Sequence, residues 1–160
     1  MTTLTRLYRF PASHRLHSSA LSEAENSRVY GKCNNPFGHG HDYILQLLVA
    51  GPVEPETGLI VPIPALDSFV ERYVLRRLAF RNLNLDVPQF ANVVPTTENL
   101  VLVIADLIER HWPASFTERG ASPCGLKIDE TDRNRFEVLL PVTARRLASN
   151  RLNERVPVHV

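Results

Sequence analysis

From Leu4 to Ala12 the chain reads LTRLYRFPA, a mixture of apolar and polar positions in the manner of a β-strand, and it runs directly into Ser13-His14-Arg15. A second strand is expected from Asp42 to Ala50, DYILQLLVA, stopped by Gly51-Pro52. Between them, His17 to Gly38 is polar and rich in turn residues. That is much longer than an ordinary connection, and loops of this size are usually functional or disordered. The two strands are expected to form an antiparallel pair joined by this loop.

The period then changes. Leu66, Phe69, Val70, Tyr73, Val74 and Leu78 recur at helical spacing within Pro64 to Leu78, with a proline suited to the first turn. After a proline-rich connection, Thr96 and Thr97 offer hydroxyl N-caps for a second helix, whose apolar face carries Leu100, Ile104, Leu107, Ile108 and Trp112. Pro113 is expected to end it. CGLKIDET and RFEVLL read as two further strands around a turn at Asp132-Arg133-Asn134. The order strand, strand, helix, helix, strand, strand predicts an α+β domain over residues 1–140, with two helices covering one face of a four-stranded antiparallel sheet. The other face would be buried by oligomerisation. Residues 141–160 form a tail of weak periodicity.

Composition narrows the function classes. Eighteen basic and seventeen acidic residues leave a formal charge of +1, which gives no global electrostatic case for nucleic acid or an anionic membrane. No apolar run approaches the roughly 18 to 20 residues of a membrane span, and the N-terminus lacks the apolar core of a secretory signal, so a cytoplasmic protein is expected. Cys33 and Cys124 are accordingly read as free thiols.

The chemistry concentrates in GKCNNPFGHGHDY, residues 31–43. His39 and His41 are two apart, so in an extended segment both imidazoles project to the same face. In an antiparallel pair the end of the first strand lies beside the start of the second, which brings His14 to the same place. Three imidazole nitrogens with a vacant fourth position suit a catalytic zinc, which can polarise a substrate oxygen. Cys33 lies in the long loop, able to fold over such a site. A dication together with Lys32 and Arg15 would favour its thiolate, a base or nucleophile. Cys124, at the start of a strand, reads as a small buried hydrophobe.

These residues carry a likeness. Through FPASHRL, GKCNNPFGHGHDY, NLDVPQFANVVPTTEN and ETDRN, from about Phe10 to Val138, the chain resembles the 6-pyruvoyl tetrahydropterin synthases of the tunnelling-fold (T-fold) group. The resemblance implies trimers whose sheets close into a barrel, two of which stack into a homohexamer. It also implies a pterin substrate, Zn2+ on His14, His39 and His41, and a catalytic Cys33. Glu130 would anchor the pterin, with Thr96, Thr97 and Glu98 nearby. A carboxylate suits that task because it accepts two parallel N–H donors. Five residues separate Cys33 from His39, a wording closer to the pyruvoyl enzymes than to relatives that make 6-carboxytetrahydropterin. The implied reaction converts 7,8-dihydroneopterin triphosphate to 6-pyruvoyltetrahydropterin, with Arg15 and Lys32 as candidate phosphate contacts.

One motif departs from the pattern. Where the family carries Leu-Asp-His-(Lys/Arg)-Asn-Leu, this chain has Leu78-Ala79-Phe80-Arg81-Asn82-Leu83. Neither Ala79 nor Phe80 can accept a proton, and the resemblance implies that this dyad serves a neighbouring subunit. Three readings follow: zinc and Cys33 suffice, with His17 as stand-in; a paralogous partner supplies the dyad; or the chain binds pterins with altered or no chemistry. His111 is assigned to the helix dipole or solvent, and Asp86 is a carboxylate without a histidine partner.

Overall fold

The computed structural model describes residues 1–116 and 120–141. Its frame is two long strands, β1 (Thr2–His14) and β2 (His39–Gly51), paired antiparallel from Thr2↔Gly51 to His14↔His39. Within the long connection lies a helix, α1 (Glu23–Tyr30), followed by a single 3-10 turn over Gly31–Asn34. Helical periodicity did not announce α1, because its one buried residue is the polar Asn26. Its start is nevertheless written locally. Ser22 and Glu25 form a capping box, each satisfying the other's backbone N–H.

The first predicted helix is continuous over residues 63–78 but not uniform: α2 (Ile63–Val70) passes through a π turn, Glu71–Leu75, into α3 (Arg76–Leu78). The chain then makes a two-residue strand, β3 (Arg81–Asn82), and a short helix, α4 (Leu83–Asp86). After a 3-10 turn at Pro88–Phe90 comes α5 (Thr97–Ser115), then β4 (Ser122–Thr131) and β5 (Asn134–Leu139). Thr96 caps α5 by accepting the Asn99 N–H. Contrary to expectation, Pro113 lies inside α5. Stacking of Trp112 on Phe116, with centroids 4.2 Å apart, holds the last turn past the missing donor, and the Phe116 N–H still reaches the Trp112 carbonyl at 3.0 Å.

The sheet has five strands rather than four, in the order β3-β1-β2-β4-β5. The addition is β3, parallel to the end of β1 through Ala12↔Arg81 and Ser13↔Asn82. A strand of two residues has no room for alternation, so nothing in the pattern marks it. On the inner face, Phe10, Tyr43, Leu45, Leu47, Leu126 and Ile128 pack under α2 and α5, which contribute Leu66, Val70, Leu100, Ile104 and Ile108. Full burial of such a side chain is worth about 1.5–3 kcal/mol. This core fixes register, because a one-residue slip would turn every inner residue outward.

The outer face is mixed. Leu7 and Leu139 are exposed, and a polar ladder crosses the strands: Gln46 Nε2 donates to Asp129, Arg135 pairs with Asp129, and Lys127 pairs with Glu137 at 3.1 Å. No helix among the described residues is long and apolar enough to cross a membrane. The expected tail falls on residues outside those described, apart from Pro141.

Candidate active site

At one end of the inner face the apolar pattern gives way to polar side chains. His14 ends β1 and is paired with His39, while His41 lies two residues further along β2, opposite Ala12. Alternation puts all three imidazoles on the helix-covered side. The ring centroids of His14–His39, His14–His41 and His39–His41 are 4.7, 5.1 and 4.7 Å apart, each pair edge to face. One nitrogen from each ring lies within 4.8 Å of the others, so the three can hold a metal ion.

Hydrogen bonding orients the donors. His14 Nδ1 lies 2.7 Å from the Pro95 carbonyl oxygen. A carbonyl only accepts, so the proton sits on Nδ1 and the Nε2 lone pair faces the cluster, 3.2 Å from His39 Nε2. Burial, followed by the neighbouring imidazoles, pushes His14 below the ordinary histidine value, and burial with His41 does the same to His39. Both shifts favour the neutral, ligating form. His41 Nε2 is buried without a hydrogen-bond partner among the described residues, as a ligand atom awaiting a cation would be. The donor set fits zinc.

Glu130, at the end of β4, stands against this cluster. Its Oε1 is 3.7 Å from His41 Nε2 and 3.9 Å from His14 Nε2, and it accepts the Thr97 hydroxyl at 2.5 Å. Thr97 is buried in the first turn of α5. Tyr43, next on the same face after His41, has its phenol pushed upward by burial and then by the Glu130 charge.

Cys33 sits in the 3-10 turn, half-buried, and its carbonyl accepts the Leu16 N–H at 2.8 Å. Burial, then the Glu130 carboxylate, push its thiol above the ordinary value. The expected lowering called on a dication together with Lys32 and Arg15, and the two side chains alone do not supply it. Lys32 is exposed, and the Arg15 guanidinium is engaged by the Asn34 carbonyl at 3.2 Å and His17 Nδ1 at 3.3 Å. Cys124 is likewise half-buried, with burial raising its thiol. Gly38 joins the loop to β2 at φ 69°, where a Cβ would lie 2.8 Å from the His14 carbonyl oxygen. Only glycine fits there without displacing backbone.

The comparisons with known proteins agree with this geometry. Residues 3–139 match the family described as 6-pyruvoyl tetrahydropterin synthase. This chain belongs to the 6-pyruvoyl tetrahydropterin synthase family. It is 45% identical over 131 residues to the 6-pyruvoyl tetrahydrobiopterin synthase of Poecilia reticulata, covering 82% of this chain and 85% of that one. The Homo sapiens protein of the same name is 40% identical, with 82% and 86% covered. The structure of Caenorhabditis elegans 6-pyruvoyl tetrahydropterin synthase superimposes with a TM-score of 0.78 at 33% identity, covering 88% of this chain and 96% of that one.

Within this synthase-family frame, the structure brings together His14, His39, His41, Glu130 and Thr97, with Cys33 inside the electrostatic reach of Glu130. Thr96 serves as a cap, and Glu98 is exposed in the first turn of α5. His17 is committed elsewhere: its Nδ1 faces donors on Arg15 and Asn34, and its Nε2 lies 4.0 Å from Glu23. His111 stacks on Tyr73 at 4.1 Å. Asp86 accepts the Asn82 N–H at 2.8 Å.

Ala79 is half-buried, whereas Phe80 is 86% exposed with φ 60°, its N–H bound to the Pro11 carbonyl at 2.7 Å. Together with His41, Ser13 and Asp86 it borders a cleft of about 620 Å³. Two contributors escaped the sequence reading. Tyr43 was marked by its period-2 spacing from His41, but a backbone carbonyl such as that of Pro95 leaves no trace in residue identity.

Proposed function

We propose that this chain is a zinc-dependent lyase that converts 7,8-dihydroneopterin triphosphate to 6-pyruvoyltetrahydropterin with loss of triphosphate. The observation that carries the reading is the set of three convergent imidazoles, with His14 oriented by Pro95 and Glu130 standing beside His14 and His41. His14, His39 and His41 hold the metal, whose bound form supplies a Lewis acid for the hydroxyls of the substrate side chain.

Cys33 moves a proton on that side chain. Burial and then the Glu130 carboxylate raise its thiol, and a dication held by the three imidazoles would favour the thiolate. Thr97 keeps one Glu130 oxygen fixed, leaving the carboxylate to receive an N–H or a proton from the bound pterin. Glu98, Thr96, Arg15 and Lys32 complete the proposed substrate contacts, the last two toward phosphate. The assembly is a homohexamer in the cytosol. Its barrel wall would use the outer sheet face, where Leu7 and Leu139 flank the charged ladder.

Ala79 and Phe80 favour a second reading: a divergent pterin enzyme with altered side-chain chemistry, 6-carboxytetrahydropterin synthase-like or side-chain cleaving, or a noncatalytic pterin-binding subunit paired with a paralogue. The test incubates zinc-loaded protein with dihydroneopterin triphosphate and follows triphosphate release and pterin products by chromatography beside Cys33→Ala. The expected result is product at least about 100-fold above the variant, in line with loss of a general acid or base. Turnover equal to the variant, with tight pterin binding retained, moves the chain to the second reading.

A further inference from the structure

We propose that Asn99 is a positioning residue for the metal centre, acting through a relay of backbone groups that sets the tautomer of His14; this rests on the metal reading above. The Pro95–Thr96 peptide unit has two ends. Its carbonyl accepts the His14 Nδ1–H at 2.7 Å, and its N–H donates to the Val94 carbonyl at 2.8 Å. A planar trans peptide aims its C=O and N–H in opposite directions, so whatever fixes the N–H also fixes where the carbonyl points. Thr96 N–H to Val94 O closes a three-residue turn about Pro95, whose ring already restrains the backbone.

The Val94 carbonyl is held a second time, by the Asn99 side-chain amide at 2.8 Å, and the Asn99 N–H donates to Thr96 Oγ1 at 3.3 Å. Asn99 thus ties the turn to the first turn of α5. The chain of contacts runs from Asn99 to Val94, to the Pro95–Thr96 peptide, to His14, and ends at an Nε2 lone pair directed at His39. Without that directed carbonyl, His14 is free to place its proton on Nε2, where it would block a ligand atom. Partners that orient a ligating histidine typically carry about 10- to 100-fold in metal affinity. Asn99 stands one contact further out, so the lower end applies.

The test uses the full chain as wild type, Asn99→Asp and Asn99→Ala. Aspartate keeps the shape and suits the first turn of a helix, but it cannot donate to the Val94 carbonyl. Histidine-labelled protein is followed by nitrogen NMR without and with zinc, and zinc affinity is measured by competition with a chromophoric chelator. The wild type is expected to show His14 as a single Nδ1–H form. Both variants are expected to show a mixture of tautomers and about 10-fold weaker zinc binding, while each still unfolds in one cooperative transition. A single Nδ1–H tautomer with unchanged affinity in both variants would overturn the proposal. If the wild type itself binds no zinc, the metal reading falls, while the tautomer comparison still decides the role of Asn99.

Discussion

The end of β1 has two neighbours in the sheet, and they differ in what they keep. On one side, β2 presents His39 and His41 to His14, and the three imidazoles converge closely enough to hold a metal ion. On the other, β3 is reached through Ala79 and Phe80, where the side chains are apolar and Phe80 alone takes a left-handed conformation. Such a conformation costs a non-glycine residue about 1–3 kcal/mol and recurs at functional sites. The metal corner unites shape and donor side chains, whereas the 79–80 corner combines a costly backbone shape at Phe80 with apolar side chains. Backbone geometry there is set by the Phe80 N–H bond to Pro11 and by the docking of Asn84, whose side chain bonds both the N–H and the carbonyl of Arg15.

Breaking the intact corner should have the largest effect. His39→Ala is expected to weaken zinc binding by more than about 100-fold, since even outer partners of a ligand carry about 10- to 100-fold, and to abolish turnover. Metal analysis after dialysis checks it, and stoichiometric zinc in the variant would refute the three-histidine assignment. Next comes repair of the other corner. Ala79→Asp with Phe80→His is expected to raise the turnover number by about 10- to 100-fold, the lower part of the range for a general acid–base group, because the backbone is already in place. An unchanged rate would show that the corner is not what limits turnover.

Relief of strain is a smaller effect. Phe80→Asn, which tolerates a positive φ, is expected to stabilise the fold by about 0.5–1 kcal/mol in urea unfolding, without altering zinc affinity. Smallest is a control remote from both corners. Arg6 donates two hydrogen bonds to Asp67 and Tyr8 donates one, which holds the Asp67 carboxyl below its ordinary value. A lowered carboxylate value contributes stability above the unfolded pKa of about 3.9, and that contribution fades as pH falls through the folded-state value. The pair is well exposed, so Asp67→Asn should cost only about 0.5 kcal/mol at pH 7. The difference should close as pH falls through the folded-state value of Asp67.

Much of the fold and the metal corner was legible because both follow strict periods. Alternation placed His39, His41 and the core of β2 on one face, and the recurrence of Leu100, Ile104 and Ile108 marked α5. The family motifs then located Cys33 and Glu130. Elements stabilised without apolar periodicity stayed hidden. Helix α1 is held around Asn26, whose side chain makes four hydrogen bonds to Ser18, Leu21 and Ser22, and β3 is too short for a pattern. Pro113 misled because a local breaker was outweighed by the ring stack of Trp112 and Phe116. The commitment of Arg15 and His17 to Asn34 depends on side-chain direction, and spacing alone carries no information about that.

Gly38 joins the loop that carries Cys33 to β2, with its backbone close against the carbonyl of His14. A methyl group at that position would meet the His14 carbonyl oxygen at 2.8 Å, so either the turn or the backbone of His14 has to give way. A single alanine there would disturb the junction between the thiol loop and the imidazole cluster without removing a side chain from either.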